Sequence, residues 1–283
     1  MIAVTGATGK LGAHVLTELL KRTDVKNIIA LVRNPSKAET IKALGIEVRE
    51  GDYEKPETLA SSLKGVKSLL LISSNEIGKR LAQHLAVIKA ATQAGVESIA
   101  YTSILRADSS VLGLAQEHLA TEKAIQSSGL KYTFLRNGWY LENHTENLGP
   151  ALQFGQMIGA AGNGKFSSAS RLDYATAAAV VLTNPGHTNK TYELAGDQAF
   201  TMTELAQEVG GQAGKTITYQ DMPESQYEQA LVGFGLPKVF ANLLANSDTG
   251  AQKGDLYSTS KDLSRLIGRE TTSLSSAVKK ALT

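Results

Sequence analysis

The chain has 283 residues, enough for one large α/β domain or a main domain with a smaller lobe. Its 42% apolar and 20% charged residues are ordinary for a packed globular protein and exclude a disordered or collagen-like chain. The absence of cysteine excludes disulfides, thiolate metal sites and cysteine nucleophiles, and a net charge of +2 without a basic stripe argues against a nucleic-acid partner.

No run approaches the roughly 20 apolar residues of a bilayer span, so no membrane partner is expected. The opening Met1-Ile2-Ala3-Val4-Thr5-Gly6 reads as a buried strand rather than a secretion signal, and a cytoplasmic protein is the expectation. Further strands are predicted at Asn27 to Val32, Glu47 to Glu50, Ser68 to Ile72, Ser98 to Thr102 and Tyr132 to Arg136, with helices between them. Leu11, Val15, Leu16, Leu19 and Leu20 share one helix face, and Leu81, Leu85, Ile88 and Ala91 repeat that spacing. This alternation predicts an α/β protein with a doubly wound parallel sheet, a Rossmann fold, over residues 1–150.

After Asn137 glycine becomes frequent, at 149, 155, 159, 162 and 164, which predicts a lobe of loops. Residues 151–283 are read mainly as a smaller C-terminal α/β substrate lobe, with about 171–196 returning to the first domain. In that return Asp173 is expected to cap a helix through Ala177 to Leu182, and Thr191 to Leu194 to add a strand. Thr201-Met202-Thr203-Glu204 has capping-box spacing before a helix to Val209. Thr216 to Gln220 reads as a strand, and Glu224 to Phe234 and Val239 to Leu244 as short helices.

Gly6-Ala7-Thr8-Gly9-Lys10-Leu11-Gly12 follows the first strand and opens the first helix. Gly6 suits a tight turn, Gly9 a close backbone approach to a pyrophosphate, and Gly12 close helix–strand packing, while the helix start offers free N–H groups to the anion. The end of the second strand, where NAD-binding proteins carry an acid, instead reads Arg33-Asn34-Pro35-Ser36-Lys37. Arg33, with Lys37 in support, suits a 2′-phosphate, so NADP(H) is the expected cofactor. Asp52 and Tyr53 after the third strand, and Ser73, Ser74 and Asn75 after the fourth, are placed to line adenine and ribose; a mere turn-capping role for Asp52 stays equally open.

The glycine triad, Leu31-Val32-Arg33-Asn34-Pro35, Gly51-Asp52-Tyr53, Ala100-Tyr101-Thr102-Ser103 and Leu135-Arg136-Asn137-Gly138-Trp139-Tyr140 together resemble the NmrA-like atypical short-chain dehydrogenases. Within them the chain is similar to the bacterial NAD(P)H:quinone oxidoreductase type, through Leu70-Leu71-Ile72-Ser73-Ser74 and Tyr192-Glu193-Leu194-Ala195-Gly196-Asp197. A branch that reduces triphenylmethane dyes shares many of these words. The resemblance implies flavin-independent, NADPH-dependent reduction of a quinone. Two alternatives stay open: a dye reductase, and a non-enzymatic redox sensor that binds the dinucleotide. A homodimer is a further open expectation.

Short-chain dehydrogenases need a tyrosine four residues before a lysine. Here Lys123 stands in the expected helix, but Leu119 occupies the tyrosine's place. Ser103, at the position of the usual serine, is then a binding residue. Lys123 is left to hold ribose, to stabilise a quinone oxygen, or only to snorkel from its helix. Asn137, Gly138, Trp139 and Tyr140 follow the sixth strand, where the nicotinamide end belongs; Asn137 and Tyr140 join Lys123 as candidate catalytic residues, and Trp139 either stacks on substrate or anchors the core. His144 and Glu146 are candidates for the pocket wall. Arg171 resembles a pocket residue of the quinone reductase type, or pairs with Asp173. The five histidines show no metal-ligand spacing, so no metal is expected.

Overall fold

The structure is a computed structural model describing residues 1–283. Its strands are β1 (Ile2–Val4), β2 (Ile28–Val32), β3 (Glu47–Glu50), β4 (Ser68–Leu71), β5 (Ser98–Ile104), β6 (Lys131–Asn137), β7 (Gln156–Gly159), β8 (Lys190–Leu194) and β9 (Thr218–Asp221). The helices of the first half are α1 (Lys10–Leu20), α2 (Glu39–Ala43), α3 (Pro56–Ser62), α4 (Arg80–Gln93) and α5 (Ala115–Ser127). Those of the second half are α6 (Leu141–Thr145), α7 (Gly149–Phe154), α8 (Arg171–Thr183), α9 (Met202–Ala213), α10 (Glu224–Gly233), α11 (Lys238–Gln252), α12 (Asp262–Ile267) and α13 (Leu274–Leu282).

Seven strands form one parallel sheet in the order β3-β2-β1-β4-β5-β6-β8. Both faces are covered, and successive strand residues divide between them. Val4, Ala30, Val32, Leu70, Ala100 and Leu135 join the core with α1 and α8. Ala3, Ile29, Leu31, Leu69, Leu71, Tyr101 and Phe134 join the opposite core with α3 and α4. The chain direction of the crossovers reverses between β1 and β4, which opens a crevice beyond the carboxyl ends of these strands.

The returning segment does complete the sheet: β8 pairs with β6, and α8 packs across α1. Its cap differs from expectation. Ser170 is the N-cap, and Asp173 answers it from the third helical position, the two halves of a capping box. The box at Thr201 and Glu204 forms as read. The glycine-rich stretch is not only loops. Gly155 ends α7 in the left-handed region (φ 68°), and Gln156–Gly159 then pairs in parallel with β9 to make a second, two-stranded sheet.

Two helix faces also differ. On α4 Leu85 is exposed, whereas Gln83 and His84 are buried. α11 extends well beyond Leu244 because its inner face is built from Ala241, Ala245, Ser247, Gly250 and Ala251, small residues that carry little periodic hydrophobic signal. That face matters for joining the units, since Leu112 packs where a side chain at Gly250 would stand. Beside it the Asp255 carboxylate accepts the Val111 N–H at 3.0 Å and Asn246 accepts the Gly113 N–H at 2.9 Å. No helix is long and apolar enough to cross a membrane.

Candidate functional site

A cavity of about 590 Å³ lies at the crevice, walled by the carboxyl ends of β1 to β4 and closed on one side by Tyr140 and Arg171. Thr5 fastens its floor by donating to the Leu70 carbonyl (3.2 Å) and accepting the Ile72 N–H (2.9 Å). Gly6 then turns with φ 59°, a conformation that favours glycine. A Cβ on Gly12 would stand 2.3 Å from the Gly6 carbonyl oxygen and 2.8 Å from Ala7 Cα, so only glycine lets α1 start this close to the turn. Gly9 caps α1 without any side-chain acceptor, and no acid lies in the first turn. The leading N–H groups of the helix are therefore left for an external anion. Ala7, by contrast, is buried and outside the lining.

At the second strand Arg33 reaches the cavity, and its Nη1 lies 3.4 Å from Glu76 Oε1. Lys37 does not line it; the residue is exposed on the turn Pro35–Lys37, which Asn34 caps through the Ser36 N–H. Asp52 lines the cavity and its carboxylate accepts the Glu54 N–H at 3.1 Å, the turn-capping contact. Tyr53 donates to the Ile72 carbonyl at 3.1 Å, and burial pushes its hydroxyl pKa up.

Ser73, Ser74 and Asn75 form the wall after β4, held from behind by polar side chains. The Ser73 N–H donates to Thr102 Oγ1 (2.8 Å) and the Ser74 N–H to His84 Nε2 (3.0 Å). Burial, aided by Arg80, holds the His84 pKa down at about 3, so the ring is neutral. With Nε2 accepting, Nδ1 carries the proton and donates to Thr121 Oγ1 at 3.0 Å. The Thr121 hydroxyl in turn donates to the Glu117 carbonyl at 2.8 Å. This series of hydrogen bonds explains why α4 buries His84 and fixes the loop that lines the cavity.

The opposite rim is ionic. Glu146 accepts from Lys10 Nζ at 2.7 Å and also from Arg171, so one carboxylate joins the glycine loop to the start of α8. Although burial opposes it, these two cations hold the Glu146 carboxyl below its ordinary value. Arg171 further donates to Asn143 Oδ1 (3.1 Å) and lies 5.0 Å from the centre of the Tyr140 ring. It does not pair with Asp173, whose partner is Arg269 at 2.7 Å.

The remaining predicted residues are placed elsewhere. Lys123 is exposed on α5, because that helix turns Thr121, Glu122 and Ile125 inward; it is not on the cavity wall. Gly138 is closely packed, with a Cβ there 3.1 Å from the Tyr174 hydroxyl and 3.2 Å from the Leu194 carbonyl oxygen. Trp139 packs against the lobe core. His144 stands edge-on to Phe166 and Phe200, and burial lowers its pKa to about 4. Ser103 and Asn137 are buried at the ends of β5 and β6, behind the lining, and Ser103 Oγ and Asn137 Oδ1 have no hydrogen-bond partner. Gln83 Oε1, on the cavity wall, is likewise unpaired. Glu76 and Gln83 escaped the sequence reading; the only signal for Glu76 was its place directly after Ser73 to Asn75. No group of three or more metal-ligating side chains converges anywhere.

A cleft with an open helix start and a guanidinium at the second strand fits a phosphorylated dinucleotide. Over residues 1–279 the sequence matches the NmrA-like family. The chain belongs to that family. It is 54% identical over 278 residues to quinone oxidoreductase 2 of Escherichia coli, covering 98% of this chain and 97% of that one. The structure of the Escherichia coli NADPH-dependent quinone oxidoreductase complexed with NADPH superimposes with a TM-score of 0.98 at 53% identity, covering 100% of both chains. Triphenylmethane reductase of Citrobacter sp., complexed with NADP(H), gives 0.96 at 43% identity over 99% of this chain and 100% of that one. The NmrA-like membership and the doubly wound fold thus agree with the reading of the motifs.

Proposed function

We propose that this NmrA-like protein is an NADPH-dependent quinone oxidoreductase that needs neither flavin nor metal. The observation that carries the reading is the cavity itself: Arg33 and the open start of α1 face one crevice, in a chain 54% identical end to end to quinone oxidoreductase 2. The N–H groups of the glycine loop and α1 would hold the pyrophosphate, Arg33 the 2′-phosphate, and Ser73 to Asn75 the adjoining ribose. Bound there, the nicotinamide supplies hydride.

The chain's own contribution is positioning and exclusion of water. Tyr140, with Arg171 over its ring, closes the nicotinamide side. No side-chain acid is required: a quinone takes hydride because the product is aromatic, and water protonates the hydroquinone anion afterwards. Leu119 in the place of the tyrosine, and an exposed Lys123, agree with this.

Mixing the purified protein with NADPH and para-benzoquinone, and following the absorbance of reduced nicotinamide, tests the proposal. Turnover by a colourless protein, with a primary isotope effect from deuterium at the transferred position when chemistry limits the rate, is the expected result. NADPH binding without turnover of any quinone would overturn it in favour of a sensor. A yellow protein whose activity tracks its flavin content would overturn the direct transfer.

A further inference from the structure

The corner beyond β2 holds opposite charges. β2 itself ends without an acid, but the loop after β4 returns one to the same place: Glu76 Oε1 lies 3.4 Å from Arg33 Nη1, and Oε2 lies 3.6 Å from Lys79 Nζ. Both Arg33 and Glu76 line the cavity. The position of Glu76 is set by its backbone, since its N–H donates to Ser74 Oγ (3.1 Å) and its carbonyl accepts the Lys79 N–H (3.1 Å). Its carboxylate is bound only to side chains that are 72% and 65% exposed, so it can exchange partners at little cost.

A guanidinium and a carboxylate in one corner serve different riboses. A 2′-phosphate is drawn to Arg33 but must displace Glu76 and tolerate its charge. A free 2′-hydroxyl offers a proton and needs an acceptor, which Glu76 supplies in place of the acid that NAD-binding proteins carry at the end of the second strand.

We infer that Glu76 is the cofactor-selecting residue of this cavity: it accepts the 2′-hydroxyl of NADH, holds back NADPH by competing for Arg33, and lets the protein use both dinucleotides. The inference rests on the assignment of Arg33 to the 2′-phosphate. Because the carboxylate is partly solvated, each effect is modest, about three- to tenfold in affinity.

The test is equilibrium binding of NADPH and NADH, read by nicotinamide fluorescence, to wild type, Glu76→Gln, Glu76→Ala and Arg33→Gln. Glu76→Gln, which removes the charge and keeps an acceptor, should tighten NADPH and change NADH less than threefold. Glu76→Ala should tighten NADPH equally and weaken NADH about three- to tenfold, so that the two affinities move in opposite directions. A merely structural role would move both the same way. The melting midpoints of both Glu76 variants should match wild type, since only exposed ion pairs are lost. An unchanged NADH-to-NADPH affinity ratio in both, with Arg33→Gln still weakening NADPH selectively, would overturn the inference alone. Equal weakening of both dinucleotides by Arg33→Gln would remove the underlying assignment and the inference with it.

Discussion

Replacing Gly12 and Gly9 singly by alanine should separate what the glycine loop does for the fold from what it does for the cofactor. At Gly12 the new Cβ meets the Gly6 carbonyl oxygen at 2.3 Å, Ala7 Cα at 2.8 Å and the Gly6 carbonyl carbon at 3.0 Å. All three are backbone, so relief requires α1 to move away from the turn on which both the sheet and the helix depend. Overpacking of this kind costs about 1–3 kcal/mol, and the upper end applies where no side chain can yield. For a chain of this size a loss of about 3 kcal/mol lowers the melting midpoint by roughly 6–10 °C. At Gly9 the only contact is the Gly6 carbonyl oxygen at 3.1 Å, a matter of a few tenths of an ångström, with a cost of about 1 kcal/mol or less. Its Cβ would nevertheless stand at the helix start that the pyrophosphate must approach, and NADPH affinity should fall about tenfold or more. Calorimetry of the cofactor-free protein and a fluorescence titration with NADPH measure the two effects. A Gly12→Ala protein that melts like wild type would refute the packing argument. A Gly9→Ala protein that binds NADPH like wild type would refute the placement of the pyrophosphate.

Arg136 is buried, with Glu122 bound to Nε and Nη2 at 3.0 and 2.8 Å and with Asp108 and Glu193 on Nη1; Glu122→Gln should cost about 2–3 kcal/mol, measured by urea unfolding, because a buried guanidinium loses its best partner. Burial pushes the Asp248 carboxyl from its ordinary 3.8 up to about 7, Asp221 adding to the rise and the Ala160 N–H opposing it. A folded pKa above the unfolded one makes stability fall as pH rises from about 4 to 7, by at most about 4 kcal/mol and about 2 kcal/mol after solvent screening. Asp248→Asn should remove that decline, as urea midpoints at low and neutral pH will show; parallel pH profiles would contradict it. Lys123→Met should leave NADPH affinity and quinone turnover within about twofold of wild type, since its side chain faces solvent; a larger loss in steady-state kinetics would return Lys123 to the site.

The parts that were readable in the sequence are those with local causes. Parallel strands announce themselves as short apolar runs, and the glycine loop carries its requirement within seven residues. Side-chain direction on α5 was not readable, because the buried face includes His118, Thr121 and Glu122 and offers no apolar stripe from which to orient Lys123. α4 misled for a related reason: His84 is buried to hold the Ser74 N–H and to reach Thr121 on another helix, a demand no periodicity encodes. Glu76 was missed because its partner, Arg33, lies 43 residues away, whereas Glu146 was legible as a pocket-wall candidate but not its link to Lys10, 136 residues away. β7 was hidden among glycines, and only its pairing with the distant β9 makes it a strand.

The lacing of the two units constrains how such a protein can be recombined. After β6 the chain leaves for the lobe, comes back for α8 and β8, leaves again, and returns once more when Leu263 of α12 enters the core beside α8 before α13 docks on α9. A chimera that exchanges everything beyond residue 150 with a distant relative would import the last strand of the sheet and the helix that covers α1. Exchange of the lobe by grafting therefore requires junctions on both sides of α8 to β8 and of α12, leaving those segments with the parent that supplies the glycine loop.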